Sequence, residues 1–272
     1  MPPDYEMQSY WNARFENESH FEWLGDGSDT IIPHLRTHLL SLRVPSPSRP
    51  ARLLHIGAGT SSLSERIREL YHNIYGPQVD EQAIVNVDFA ETLVAREREK
   101  EATLARGWLG TGMQWICADA LKWKELEAAL HWSKEERAFD LIVDKSTSDA
   151  ISCAQDISYS SPDLSLHPVL KELLAAQEGQ KLSVPPVQLL AIHLASLVCP
   201  GGLWVALTFS STRFSFLSSL EPGDNALPSH AAIYWDVEKI VALDAPTGMD
   251  PEGGVYGPVV QHYVFLIRRK DI

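Results

Sequence analysis

The chain has 272 residues, of which 44% are apolar, and a formal net charge of −13. That is enough for one large domain or two small ones with a sizeable core, and no apolar run approaches the roughly 20 residues of a membrane-spanning helix. The charge argues against a nucleic-acid binder, which presents a basic face to phosphates; it suits a basic protein target or the plain solubility of an acidic protein.

Cys117, Cys153 and Cys199 are scattered and odd in number, a pattern that fits neither a disulfide framework nor a zinc site, so a reducing, cytoplasmic setting is expected. The opening "MPPDYEMQSYWNARF" has no basic n-region and no apolar h-region, and no secretory signal is expected there. Further aromatics follow, then a helix-like stretch, "DTIIPHLRTHLLSLR", and a proline-rich connector, "VPSPSRPAR", at 44–52.

Beyond the connector the pattern is regular. "RLLHIGAG" (52–59) is a short apolar run ending in glycines, and "SSLSERIRELYH" is a helix with Leu63, Ile67 and Leu70 on one face. "AIVNVD" (83–88), "MQWICAD" (113–119) and "FDLIVD" (139–144) are short apolar runs that each end in an acid. Helical stretches separate them: "AETLVAREREKEATLARGW", "LKWKELEAALHW" and then "PVQLLAIHLASLV" (186–198), which is stopped by "CPGG" before a fifth run, "LWVALTFS" (203–210). Short apolar strands alternating with helices predict an α/β, doubly wound and mostly parallel sheet. "YWDVEKIVALD" and "VVQHYVFLIRR" follow one another without a helical pattern between them and predict an antiparallel C-terminal edge.

In such a sheet, ligands bind beyond the carboxyl ends of the strands. The residues expected there are Gly57 and Gly59, then Asp88, Asp119, Asp144 and Lys145. The glycines allow a tight turn and close approach of backbone to ligand. The third glycine of a dinucleotide fingerprint is replaced by Ser62, and Asp88 comes later than the roughly 20 residues typical of that fingerprint. A carboxylate at Asp88 can accept both ribose hydroxyls, and one at Asp119 the exocyclic amine of adenine. Each acid precedes a helix, so each is also a plausible N-cap. A nucleoside without phosphates on a doubly wound sheet points to S-adenosylmethionine. His34 and His38 have metal-ligand spacing but no third ligand, so no metal is expected.

"DYEMQSYWNARFENESHFEWLG", "LLHIGAGTSSLSERI", "IVNVDFAE" and "FDLIVDKSTSDAI" together resemble the seven-stranded S-adenosylmethionine-dependent methyltransferases related to the lysine methyltransferases of translation elongation factor 1A. The resemblance covers roughly residues 5–152. It implies that residues 1–50 form a cofactor-covering segment and 51–272 a single methyltransferase domain with an insertion at about 152–186. It further implies that Trp11, Phe15 and Phe21 close over the cofactor, and that Gly57 and Gly59 approach its methionine portion. Asp88 and Phe89 would hold the ribose and flank the adenine, Asp119 and Ala120 line the adenine edge, and Lys145 contacts the cofactor. Asp144 is expected to face the methyl group and to orient or deprotonate an incoming amine.

The chain departs from that family at Ser146 and Ser148, where the family has glycine and leucine, and at Ala58 and Thr60, where it has cysteine and asparagine. The two serines put the acceptor, rather than the cofactor, in question. The leading expectation is methylation of a protein lysine, with elongation factor 1A as the target the resemblance names. The second is a small-molecule methyltransferase with 152–186 as a lid, and the third a non-catalytic cofactor-binding module.

Overall fold

Burial on both faces is what makes the central strands of this chain mostly apolar. The computed structural model describes residues 3–42, 47, 49–107, 112–130, 138–161, 163–176, 181–218, 230–244 and 260–272. Helices α1 (Gln8–Asn17) and α2 (Ile32–Ser41) precede an alternating series: β1 (Leu53–Ile56), α3 (Leu63–Tyr75), β2 (Ile84–Asp88), α4 (Glu91–Gly107), β3 (Gln114–Cys117), α5 (Trp123–Ala129) and β4 (Phe139–Lys145). There follow α6 (Thr147–Ile151), β5 (Ile157–Tyr159), α7 (Pro168–Ala176), β6 (Leu182–Val184), α8 (Pro186–Leu197), β7 (Val198–Thr208), α9 (His230–Tyr234), β8 (Trp235–Asp244) and β9 (Gln261–Arg269).

Seven strands form one sheet in the order β3-β2-β1-β4-β7-β9-β8. The first five are parallel, and β9 runs antiparallel to both β7 and β8. This is the mostly parallel sheet with an antiparallel edge that the strand pattern predicts. Every residue of β1, β2 and β4 is buried, as expected where helices cover both faces. Alternate residues divide between two cores. Leu54, Ile56, Ile142 and Trp204 pack with α8 on one side, while Leu53, Leu141, Val143 and Val205 pack with Leu35 and Leu39 of α2 and Ile67 and Leu70 of α3 on the other. The segment before residue 50 therefore has two parts: α2 belongs to a helical layer, and the residues before it lie over the carboxyl ends of the strands.

Two details differ from the sequence reading. The "CPGG" turn is not a gap between helix and strand, because α8 runs straight into β7 at Val198. Phe139 pairs with Val198 and Leu141 with Leu203, so Cys199–Gly202 bulge out of register, which spares Pro200 from donating to the ladder. The stretch 152–186 begins on the crevice wall at Ser152–Ala154 and then folds onto the core. Its strands β5 and β6 pair with each other, and Leu170, Leu174, Leu182 and Val184 bury themselves in the core that holds Phe139 and Leu190. The apolar spacing of "PVLKELLAA" presents one face to that core, and burial of this face outweighs the polar composition of the flanks.

Trp204 ties the parallel sheet to its antiparallel edge. It is fully buried, with ring centroids 4.9 Å from Phe214 and 5.5 Å from Trp235. Trp204→Ala is expected to lower unfolding stability by about 3–5 kcal/mol, read from chemical denaturation followed by circular dichroism.

Candidate active site

The strand order reverses between β1 and β4, and there the helices leave a crevice at the carboxyl ends of the strands. Its cavity is about 460 Å³. Gly57 and Gly59 open it with φ of +55° and +59°, a backbone region that a Cβ disfavours. A Cβ on Gly57 would lie 2.2 Å from Thr147 Oγ1, and that hydroxyl donates to the Ile56 carbonyl at 2.9 Å. The turns after β1 and β4 are thus held against each other, and only glycine fits between them.

On the β2–β3 side the crevice presents acceptors. Asp88 Oδ1 accepts from Ala90 N–H (2.9 Å) and Oδ2 from Gly59 N–H (3.0 Å), which leaves each oxygen a lone pair. Burial pushes its pKa up to about 6, against the pull of the backbone N–H groups of Ala90, Gly59 and Phe89. Phe89, Asp119 and Ala120 line the crevice beside it. Asp119 Oδ1 accepts from Leu121 N–H at 2.9 Å in the turn before α5, and the Ala120 carbonyl accepts from His193 Nδ1 at 2.9 Å.

The N-terminal segment supplies the opposite wall. Trp11, Phe15, Phe21 and Trp23 all line the crevice; Phe15 is buried with Ala90 and Leu93 of the β2–α4 region. The Arg14 guanidinium lies 5.6, 4.7 and 5.5 Å from the ring centres of Trp11, Phe21 and Trp23, and Glu18 holds it through both carboxylate oxygens. One cation therefore orients three rings.

Glu22, which stands in the "FEW" motif with no role assigned from sequence, joins this segment to the crevice floor. Oε1 accepts from the Ser62 N–H (2.8 Å) and hydroxyl (2.6 Å), and Oε2 from the Ser61 hydroxyl (2.7 Å) and Lys145 Nζ (2.8 Å). Partial burial opposes its ionisation, but the hydrogen bonds from Lys145, Ser62 and Ser61 prevail and bring its pKa down to about 2. Lys145 also donates to the Gly25 carbonyl at 2.7 Å. Burial pushes the lysine pKa down, while Glu22 pulls the other way.

Asp144 and Lys145, adjacent in sequence, point to opposite sides of β4, and the structure separates them. Lys145 lines the crevice, whereas Asp144 is not among the lining residues and is fully buried. Its Oδ1 accepts from the Thr147 and Ser148 N–H groups at 2.9 and 3.2 Å, so it caps α6 and does not face a methyl acceptor. Burial pushes its pKa up to about 7, against hydrogen bonds from Ser148 and Thr147 and with the help of nearby Asp149.

The β4–β7 side is built from Ser146, which the sequence marks as a change beside the acceptor, and from residues such as Phe209 and Arg213 to which the sequence assigns no role. Ser146, at the position of the family's glycine, has φ +63°, a strain of roughly 1 kcal/mol for a residue with a Cβ. Its hydroxyl is buried, with no hydrogen-bond partner among the described residues. Asp149 Oδ1 accepts from Arg213 Nε (3.1 Å), Arg213 Nη2 (2.8 Å) and the Thr208 hydroxyl, and Oδ2 from the Phe209 N–H (3.1 Å). Ile151, Ala154, Phe209 and Arg213 complete this wall. The one signal for it in the sequence was the serine in a family glycine position.

Asp144 also makes a pH test. Folded, it keeps its proton up to about pH 7; unfolded, only to about 3.8. The folded state therefore binds more protons between those values, and this group's contribution to stability falls as pH rises from about 4 to about 7, by on the order of a few kcal/mol. Asp144→Asn keeps the Oδ1 acceptor and is expected to flatten that slope in denaturation curves taken across the window. For Glu22→Ala, faster amide hydrogen exchange through α1 is expected, with α8 unchanged.

No family model matches the chain. The chain is 31% identical over 269 residues to the methyltransferase srdJ of Neurospora crassa, a match that covers 98% of this chain and 85% of the relative. In fold it is similar to a SAM-dependent methyltransferase from Anabaena variabilis, with a TM-score of 0.53 at 12% identity over 99% of this chain and 96% of that one. The chain belongs to the methyltransferase family that includes srdJ, and it is built on the fold of the S-adenosylmethionine-dependent methyltransferases.

Proposed function

We propose that this methyltransferase binds S-adenosylmethionine across β2, β1 and β4 and transfers its methyl group to a small molecule with an apolar body. The crevice suits a phosphate-free nucleoside. Asp88 has two lone pairs for ribose hydroxyls, and Asp119 and Ala120 bound the neighbouring space. The turn into α3, where a pyrophosphate would sit, already holds the Glu22 carboxylate. The basic side chains in the lining are Lys145, paired with Glu22, and Arg213, paired with Asp149, so none stands free for phosphates. Residues 5–25 would cover the bound cofactor through Trp11, Phe15, Phe21 and Trp23. When bound, S-adenosylmethionine supplies an electrophilic methyl group on a sulfonium. The protein's part is then to align the acceptor and exclude water.

The acceptor reading is carried by one observation: Asp149, the carboxylate that lines the β4–β7 end, is ion-paired with Arg213 and accepts from Thr208 and Phe209. A lysine amine reacts neutral and needs a group that accepts its proton. Asp144 is outside the crevice, all of the Asp149 bonds go to Arg213, Thr208 and Phe209, and no histidine lines the wall among the described residues. The acidic surface, −13 overall, favours the second reading, methylation of a protein lysine. Incubation of cell lysate with the enzyme and methyl-labelled S-adenosylmethionine decides between them. Label in the small-molecule extract is expected, and label on the lysines of a discrete protein band would establish the second reading instead.

Asp88→Ala is expected to weaken S-adenosylhomocysteine binding by more than about a hundredfold, since two hydrogen bonds to a charged group are lost. Because ribose hydroxyls donate to the ionised form, affinity should be level above about pH 6 and fall about tenfold per unit below it. Calorimetry between about pH 5 and 8 measures both effects, and an unchanged affinity in the variant refutes the ribose assignment.

A further inference from the structure

With the adenosyl group over β2 and β3, the reacting end of the cofactor comes over β1 and β4, and the acceptor must approach from β7. Asp149 accepts from Arg213, Thr208 and Phe209, and the carboxylate of Glu22 is shared among Lys145, Ser61 and Ser62. Beside these pairs, two groups at that end have N–H or O–H positions without a partner among the described residues. Arg213 spends Nε and Nη2 on Asp149 and makes no hydrogen bond through Nη1. The Ser146 hydroxyl is buried and unpartnered, and it is held there by a backbone that a glycine would adopt without strain. Beside them Phe209 exposes its ring on the rim.

A neutral amine looks for acceptors; an anion looks for donors. We infer that the acceptor's reacting group is an oxyanion on an apolar, ring-bearing body, a phenolate or a carboxylate, received by the Ser146 hydroxyl and the Arg213 guanidinium while its body lies against Phe209, Ile151 and Ala154. This rests on the S-adenosylmethionine reading above. The chemistry balances without a base. An oxygen lone pair forms the new C–O bond as the bond from methyl carbon to sulfur breaks. The electron pair stays on sulfur, the sulfonium becomes a neutral thioether, and the oxyanion becomes a neutral ether or ester. No proton has to leave, so the step asks for no base in that wall.

The test is binding to the full chain loaded with S-adenosylhomocysteine, using 4-nitrophenolate and benzoate as oxyanion probes and benzylamine as the cation of matching size. Calorimetry reads all three, and saturation-transfer spectroscopy locates them. The oxyanions are expected to bind at least about tenfold more tightly than benzylamine, and the preferred one distinguishes phenolate from carboxylate. Arg213→Gln should weaken the oxyanions about tenfold and leave S-adenosylhomocysteine affinity unchanged. Ser146→Gly, which relieves the backbone and keeps the fold, should weaken them as well while the melting temperature holds or rises. The inference is overturned if neither oxyanion binds, if benzylamine binds as well as they do, or if both variants bind the oxyanions as the parent does. Failure of the parent chain to take up S-adenosylhomocysteine would instead remove the cofactor reading beneath it.

Discussion

The Glu22 carboxylate is the contact on which the crevice depends. Both its oxygens are shared among Ser61, Ser62 and Lys145, so one side chain from the N-terminal segment ties the turn after β1 to the end of β4. The pair is largely withdrawn from water, with the lysine side chain 4% and the glutamate 22% exposed. Such a pair is worth little when replaced as a unit, but removing one member strands the other charge. Its value is therefore positional: it fixes the stretch around Glu22 over the sheet, as Arg96 of α4 fixes the Phe15 and Glu18 carbonyls. The same carboxylate also selects the ligand class, because it fills the turn that a pyrophosphate would otherwise occupy.

Strain gathers where this latch meets the sheet. Among the described residues, two non-glycine positions have positive φ, Leu24 and Ser146. Leu24 precedes the Gly25 carbonyl that Lys145 grips, and Ser146 follows Lys145 itself. Backbone held in this region persists only where the surroundings over-determine it. Here those surroundings are the Lys145 bonds and the Ser146 N–H bond to the Leu207 carbonyl at 2.9 Å. The crevice thus has Asp88 and Asp119 on one side and Ser146 with the Asp149–Arg213 pair on the other.

The rest of the molecule gives that crevice a rigid base. Helix α8 is buried over nearly its whole length, and β5, α7 and β6 bury leucines against the same core. With 163–186 largely engaged in that core, the β4–β7 end of the crevice is lined by Ile151, Ala154, Phe209 and Arg213, on short segments that follow β4 and β7.

The alternation of apolar runs and helices was enough to establish the parallel sheet, its antiparallel edge, and the placement of Gly57, Asp88 and Asp119 on one rim, because these follow from local periodicity and from the rule that strand ends meet in a doubly wound fold. Resemblance added the aromatic wall of Trp11, Phe15 and Phe21. Strand alternation puts Asp144 and Lys145 on opposite sides of β4, but it does not say which of the two sides is the crevice. Hence Asp144, one residue from Lys145, was expected in the crevice and lies buried beneath it. Glu22 with Lys145, and Asp149 with Arg213, are pairs far apart in the chain, and local pattern carries no record of such distances. Only the tertiary structure brought them together, and in doing so it decided which charges are spent and which donors remain for an acceptor.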